Sequence, residues 1–210
     1  MDDRRRALSI ALGLLLCLST SGAHGQSSAP VDSTTATRVG VKEALRGWRL
    51  DEAERLLADD AGELSGDRRL VMEARLDLQR ARYEAVIERL GKRLSSGRAV
   101  PPELRVVLGA ALDARGRRAE ARIILDVLAD QYDSDALGGQ DAKLWLALSL
   151  VANDYPADAN DIYREVVDDP KSSPRARLHW ARLFRARYNH RDASQLLDEA
   201  LKLQPGDPEI

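Results

Sequence analysis

Cysteine, histidine and aromatic residues are scarce in this chain of 210 residues. Cys17 is its only cysteine, it has three histidines, and aromatic residues make up 4% of it. One cysteine excludes an internal disulfide and a zinc site built from several thiolates. His179 and His190 are eleven residues apart, with no HExxH or similar spacing around them. They predict no metal site, and we expect both at the surface or partly buried.

Sequence motifs for nucleotide binding and for nucleophilic catalysis are absent too. The chain has no GxxxxGK[ST], GxGxxG or GxSxG pattern. Its carboxylates are numerous, but nothing in their spacing singles out a general acid and base. A net charge of −2 is unlike the strong basic excess of most nucleic-acid binders. These absences predict a protein that is not an enzyme, needs no cofactor or metal and binds no nucleic acid.

The first 25 residues have the pattern of a secretory signal peptide. Three arginines (Arg4, Arg5 and Arg6) precede an apolar run at residues 7–18, and small residues occupy positions 23 and 25. This order predicts cleavage before Gln26 and an exported, periplasmic or secreted, protein. The 12-residue run is short of the roughly 20 residues that span a bilayer as a helix.

Two alternatives would keep the chain in contact with a membrane. The leader could remain as an uncleaved anchor, or Cys17 could carry a lipid. Bacterial lipoproteins resemble one another in having a small residue before that cysteine, whereas here it is Leu16. Residues 26–37, rich in Ser and Thr, lack the apolar content to pack and predict a flexible linker.

From Val39 onward the hydrophobic pattern is helical, with apolar residues three and four positions apart. Breaks at residues 62–66, 97–102, 133–139, 170–174 and 205–208 separate segments of about 30 residues, a period typical of solenoids. Pro102, Pro156 and Pro174 suit the first position of a helix. Asp51 and Glu54 have the spacing of a capping box, which predicts a helix start at Asp51.

Small residues recur twelve positions apart within these segments. In a helical hairpin such a pair allows close approach of the two helices, and a large residue follows each second small residue by four positions. The pairs are Gly109 with Ala121, Ala147 with Ala159, and Ala181 with Ala193. They predict one hairpin per segment, with the large residue one turn further along the same face.

This pattern resembles that of tetratricopeptide repeats. Leu108-Gly109 matches the Leu-Gly step of that family, Ala121 and Ala193 match its alanine, and Pro205 matches the proline that ends a repeat. The positions Ala53, Val86, Ala121, Ala159 and Ala193 are separated by 33, 35, 38 and 34 residues, and we expect a longer loop near residues 134–139 to account for the 38. The resemblance implies an all-α, right-handed helical-hairpin solenoid of about five repeats over residues 38–205. Residues 206–210 then read as the start of a further repeat or a tail.

Three tryptophans could serve as ligand platforms or as core residues. Trp145 and Trp180 lie on faces expected to pack, so we expect them in the core, whereas Trp48 falls in a turn between helices.

A basic segment is the strongest candidate for a binding site. Residues 171–191 contain seven Lys or Arg and no acid, and could simply be a solvated face beside the acidic residues 154–169. If Trp180 faces inward, Arg175, Arg182 and Arg185 form a separate stripe on the same helix. In tetratricopeptide repeats, which this chain resembles, the first helices line the concave groove. We therefore predict that these exposed arginines bind carboxylates of a protein or peptide partner.

The function predicted from the sequence is therefore a non-catalytic interaction scaffold or adaptor of the bacterial cell envelope, which binds a partner in its concave groove. Two alternatives remain open. The chain could be the N-terminal repeat module of a longer envelope protein whose catalytic domain lies beyond Ile210, or an assembly factor anchored at a membrane.

Overall fold

The structure, a computed structural model, describes residues 33–60, 64–169 and 174–206, with side chains from residue 39 onward. The predicted signal peptide, the linker up to residue 32 and residues 207–210 of the predicted further repeat lie outside the described residues. Among the described residues there are helices and turns but no strand, which confirms the all-α prediction.

Ten helices account for most of the described residues. They are α1 (Ser33–Arg46), α2 (Leu50–Asp59), α3 (Gly66–Gln79), α4 (Tyr83–Leu94), α5 (Pro102–Ala114), α6 (Arg118–Asp133), α7 (Gln140–Ala152), α8 (Pro156–Asp168), α9 (Pro174–Ala186) and α10 (His190–Leu203). Helices begin at all three predicted prolines. Helix α1 begins at Ser33, six residues before Val39, and so takes in part of the predicted linker.

The helices pair as five consecutive hairpins, each made of a first and a second helix. Each first helix also packs against the first helix of the next hairpin, and each second helix packs against the first helix that follows it. In the described ranges, no second helix contacts another second helix. The first helices therefore form a continuous row, and the second helices lie beside it. This is a helical-repeat arrangement in which each hairpin contacts only its neighbours.

Burial differs between the two kinds of helix. Eight of the 13 residues of α5 and six of the 13 of α7 are buried, whereas α2 and α4 bury two residues each. A first helix is covered on several sides, by its own partner, by the preceding second helix and by neighbouring first helices. This explains why α5 and α7 are apolar around most of their circumference, whereas the second helices keep a polar face.

One turn geometry joins the two helices of every hairpin. Each turn places one residue in the left-handed region, with φ between 55° and 77°: Trp48, Ala81, Gly116, Asp154 and Tyr188. In the first turn, the amide of this residue donates to the carbonyl of Leu45 at 3.3 Å, and the next amide, of Arg49, donates to Ala44 at 2.9 Å. The same two bonds recur in the other four turns. The five positions are separated by 33, 35, 38 and 34 residues, the period predicted from the sequence.

A ladder of polar contacts links neighbouring hairpins at these turns. The residue before each left-handed position reaches back to the preceding hairpin: Arg80 to Asp51 at 2.6 Å, Arg115 to Glu84 at 2.6 Å, Asn153 to Asp126 at 2.7 Å and Arg187 to Asp154 at 3.7 Å. The prediction that Asp51 caps α2 is wrong, because that helix already begins at Leu50. Such exposed pairs each contribute little free energy.

The 38-residue spacing has two structural causes. Residues 134–139 form the predicted longer connection between α6 and α7. In addition, α6 has 16 residues, more than any other second helix. Part of the insertion therefore lengthens a helix rather than a loop.

Gly109 shows why a small residue is needed where two helices meet. A Cβ atom added there would lie 2.9 Å from Cγ of Leu125, the residue four positions after Ala121. Such a distance is shorter than a van der Waals contact, and Leu125 is itself buried. The prediction paired Gly109 with Ala121 and placed Leu125 one turn further along the same face. The structure shows that Leu125 is the residue that meets Gly109.

We predict opposite effects of glycine and alanine at the left-handed turns. Ala81→Gly should raise the free energy of unfolding by about 1 kcal/mol, and Gly116→Ala should lower it by about the same amount, because an L-residue pays roughly 1–2 kcal/mol in the left-handed region. Denaturant unfolding followed by circular dichroism measures both changes.

Gly91→Ala is the matched control for this prediction. Gly91 lies inside α4, and like Gly116 it has nothing within 4 Å of the added Cβ. Its helical backbone suits alanine, so this variant should be stabilised by about 1 kcal/mol. If both alanine variants shift the free energy of unfolding in the same direction, turn strain is not the cause.

A second prediction concerns the contact at Gly109. Gly109→Ala should lower the free energy of unfolding by about 1–2 kcal/mol, since overpacking costs about 1–3 kcal/mol and alanine regains part of that in a helix. In a Leu125→Ala background the same change should become neutral or stabilising. A double-mutant cycle measures the coupling, and additive effects of the two substitutions would show that the contact does not limit the approach of the helices.

Candidate functional site

Charged side chains from the other four first helices act on the carboxyl of Glu103 in α5. The set, here called the inner charge cluster, has one member from each first helix: Lys42, Arg75, Glu103, Asp141 and Arg175. The Nη1 atom of Arg75 lies 3.5 Å from Oε1 of Glu103, and the charges of the other three also reach the Glu103 carboxyl. The row therefore brings residues that are up to 133 positions apart in sequence into one electrostatic neighbourhood.

The members of the cluster occupy two positions of the repeat. Glu103, Asp141 and Arg175 each lie six residues before the small residue of their own first helix. Lys42 and Arg75 each lie one residue after the position that corresponds to that small residue, seven residues further along the helix and so on nearly the same face. The regular hairpin geometry explains how residues from separate repeats come together.

Glu103 is the acidic centre of the cluster. Its side chain is 18% exposed. Burial raises the pKa of its carboxyl above the usual value, and the charge of Asp141 adds to that rise. The nearby charges of Arg75, Lys42 and Arg175 act in the opposite direction. The net rise means that burial outweighs the attraction of three cations.

The three predicted binding arginines lie in different environments. Arg175 is 1% exposed, which contradicts the prediction that it lies at the surface. Arg182 is half-buried and Arg185 is exposed. Spacing along one helix predicted a shared stripe, but α9 belongs to the inner row and is covered on more than one side. The charge of Arg175 therefore faces Glu103 and His179 rather than solvent.

His179 is fully buried, at 0% exposure. The prediction that it lies at the surface or is partly buried is therefore wrong. Burial holds the pKa of its imidazole well below the usual 6.5, and the charges of Arg182, Arg175 and Arg75 lower it further. The ring is therefore neutral at physiological pH. Since Arg75 belongs to α3 and His179 to α9, the inner faces of the second and fifth hairpins lie within electrostatic range of each other.

Tyr163 brings the second helix α8 to the same region. It is fully buried at the position four residues after Ala159, equivalent to Leu125 in the preceding hairpin. Burial raises the pKa of its hydroxyl above the usual value, and the charge of Arg182 opposes that rise. Arg182 thus acts electrostatically on both Tyr163 and His179.

Arg75, Glu103, Tyr163 and His179 were not predicted from the sequence as site residues. The repeat register is the signal that could have identified Arg75. It places Arg75, like the predicted Arg182, one residue after the small residue of its first helix. A charged residue there stands out, because the third and fourth hairpins have Ala110 and Leu148 at that position.

The tryptophans follow the prediction. Trp145 is buried. Trp180 is half-buried, stacks near Phe184 with 5.5 Å between ring centroids and donates its indole N–H to Oδ1 of Asn160 at 2.9 Å. Trp48 lies in the first turn and is 52% exposed. Trp145 is therefore a core residue, and Trp180 packs against the core from its edge.

Two further observations concern the side chains and helices that the structure describes. In this part of the chain, no group of three or more His, Cys, Asp or Glu side chains is placed to hold a metal ion. No helix within it has both the length and the hydropathy to cross a membrane.

Comparison with known proteins gives no relative to set beside this geometry. No protein-family model, curated protein or solved structure matches the chain. The assignment of function therefore depends on the residues and their arrangement alone.

The buried imidazole predicts how stability depends on pH. Because the pKa of His179 is lower in the folded protein, the unfolded chain binds more protons below pH 6.5, and stability is lost as the pH falls. One such group lowers the free energy of unfolding by up to about 1.4 kcal/mol per pH unit. His179→Gln should therefore flatten the decline between pH 7 and pH 5.5, measured by urea unfolding.

His190→Gln is the control, since that histidine is exposed at the start of α10. Glu103, with its raised pKa, acts in the opposite sense and stabilises the fold more at lower pH. Its contribution is present in wild type and in both variants, so it cancels in the comparison. Parallel pH profiles for wild type and His179→Gln would mean that the imidazole does not titrate differently on folding.

Proposed function

We propose that this chain is an exported scaffold of the tetratricopeptide type, a right-handed solenoid without catalytic activity that binds an acidic protein or peptide along its row of first helices. The observation that carries this proposal is the inner charge cluster, to which every hairpin contributes a charged side chain. A row of first helices that draws one charged residue from each repeat suits recognition of an extended partner.

Energetics favour a binding role over a structural one. Taking charged groups out of water costs free energy, and a buried ion pair is often no more stabilising than apolar residues of similar volume. The helical-repeat core does not depend on these charges, because the small and apolar residues of each hairpin provide its packing. Charges kept along the inner row are therefore better explained by a partner than by stability.

The charges near Glu103 and His179 favour an acidic partner. Those that act on either group come from four cations, Lys42, Arg75, Arg175 and Arg182, and one acid, Asp141. Of the predicted binding arginines, Arg185 is exposed and Arg182 is half-buried. Arg175 is buried, and in this proposal it supplies positive potential behind them.

The test is affinity capture from a cell-envelope extract, with the retained proteins identified by mass spectrometry. Immobilised wild type should retain an acidic partner. Arg182→Gln/Arg185→Gln should reduce its capture at least about tenfold, the effect of losing about 1.4 kcal/mol. Raising the salt concentration should weaken capture, because exposed charges are screened.

Arg118→Gln/Arg164→Gln is the matched control. Both residues are exposed on second helices, and the double variant loses the same two positive charges. Arg175 is left unchanged, since replacing a buried residue would mix stability with binding. Equal loss of capture in the two double variants would mean that only net charge matters, and undiminished capture in both would exclude the inner arginines as the contact.

A further inference from the structure

Three buried polar groups near the junction of α8 and α9 lack hydrogen-bond partners. They are both ring nitrogens of His179, the hydroxyl of Tyr163 and the Nη1 atom of Arg182, and none of them bonds to a described residue. His179 and Tyr163 are each 0% exposed. Because native proteins pair nearly all buried polar atoms, this concentration points to a polar group supplied from outside the fold.

The three side chains come from two helices that pack against each other. His179 and Arg182 are three residues apart on α9 and so project from the same face. Tyr163 belongs to α8, and the charge of Arg182 acts on its hydroxyl. Arg182 is half-buried, so one edge of this region lies near the surface.

The potential in this region is positive. The charges that act on His179 are those of Arg182, Arg175 and Arg75, and all three are cations. An anion placed among these side chains would be attracted by all of them, and its energy would be larger here than in water because the surroundings are largely dehydrated. A cationic or apolar ligand would gain nothing from this potential.

The donor and acceptor pattern narrows the class of anion. A guanidinium and a phenol donate hydrogen bonds, whereas a neutral imidazole donates from one nitrogen and accepts at the other. The ligand must therefore accept several bonds and also donate one. Hydrogen phosphate does both through its P–O⁻ and P–OH groups, whereas sulfate at neutral pH has no proton to donate.

We propose that Tyr163, His179 and Arg182 form a binding site for free hydrogen phosphate, the dianion that keeps one P–OH group at neutral pH. Arg182 provides the charge-assisted contact, Tyr163 donates its hydroxyl proton, and His179 donates with one nitrogen while accepting the ligand's proton with the other. The site does not depend on the proposed scaffold function, because a small anion can bind without any partner protein.

Isothermal titration of the purified chain at pH 7.5 in chloride buffer tests the site. Inorganic phosphate should bind with 1:1 stoichiometry, and sulfate should bind at least about tenfold more weakly, because it leaves one imidazole nitrogen facing an acceptor. Phenyl phosphate is a second test of the donor requirement. At pH 7.5 it has no P–OH proton, so it should bind as weakly as sulfate.

Variants assign the contacts. Arg182→Gln should lower phosphate affinity at least about tenfold, and Tyr163→Phe, which removes one oxygen from a buried ring, should lower it severalfold. His179→Leu should reduce the preference for phosphate over sulfate. Should that variant fail to fold by circular dichroism, Tyr163→Phe still tests the site.

Arg164→Gln and His190→Gln are the controls, since both side chains are exposed. They should bind phosphate as wild type does. The proposal is overturned if phosphate does not bind saturably, if sulfate or phenyl phosphate binds as tightly as phosphate, or if Arg182→Gln and Tyr163→Phe retain full affinity.

Discussion

The left-handed turn inside each hairpin is the constraint on which the rest of the structure depends. Its two backbone hydrogen bonds fix the number of residues between the helices, so that Gly109 of a first helix meets Leu125, sixteen positions later on the second. Five turns of one geometry produce five similar hairpins, which can stack in a row. The chain keeps this geometry even at Trp48 and Tyr188, where large side chains occupy a region of φ that favours glycine. The strain there is of order 1–2 kcal/mol, small beside the packing that the turn makes possible.

Stacking the hairpins has an electrostatic consequence. The first helices are covered by neighbours on several sides, so that a charged side chain on them is difficult to solvate unless it faces another charge or the surface. The first hairpin places Lys42 there, the second Arg75, and the fifth Arg175 and Arg182. The third and fourth hairpins have the apolar residues Ala110 and Leu148 at the repeat position that Lys42, Arg75 and Arg182 occupy. The cations thus come from the two ends of the row, while Glu103 and Asp141 come from its middle.

Features set by local chemistry could be predicted from the sequence, and features set by packing between repeats could not. The period, the all-helical class and the helix starts at Pro102, Pro156 and Pro174 depend on residues a few turns apart. The burial of Arg175 and His179 depends on which faces of α9 the preceding helices cover, and the sequence of α9 alone does not contain that information. Asp51 shows the same limit, because its carboxylate pairs with Arg80 of the next hairpin instead of capping its own helix.

The two sets of charges in this molecule have different compositions, and the difference bears on function. Along the turns the cations and acids are matched nearly one to one, as in Arg115 with Glu84, and they lie in water where such pairs cost little. Along the inner row, the charges that act on Glu103 or His179 come from four cations and one acid. Burial also raises the pKa of Glu103, which weakens the acidic side further. An anion near these cations would be attracted more strongly than in water, because the region is largely dehydrated. Tyr163, His179 and Arg182, whose polar atoms are buried beside these cations, are where we propose that such an anion binds.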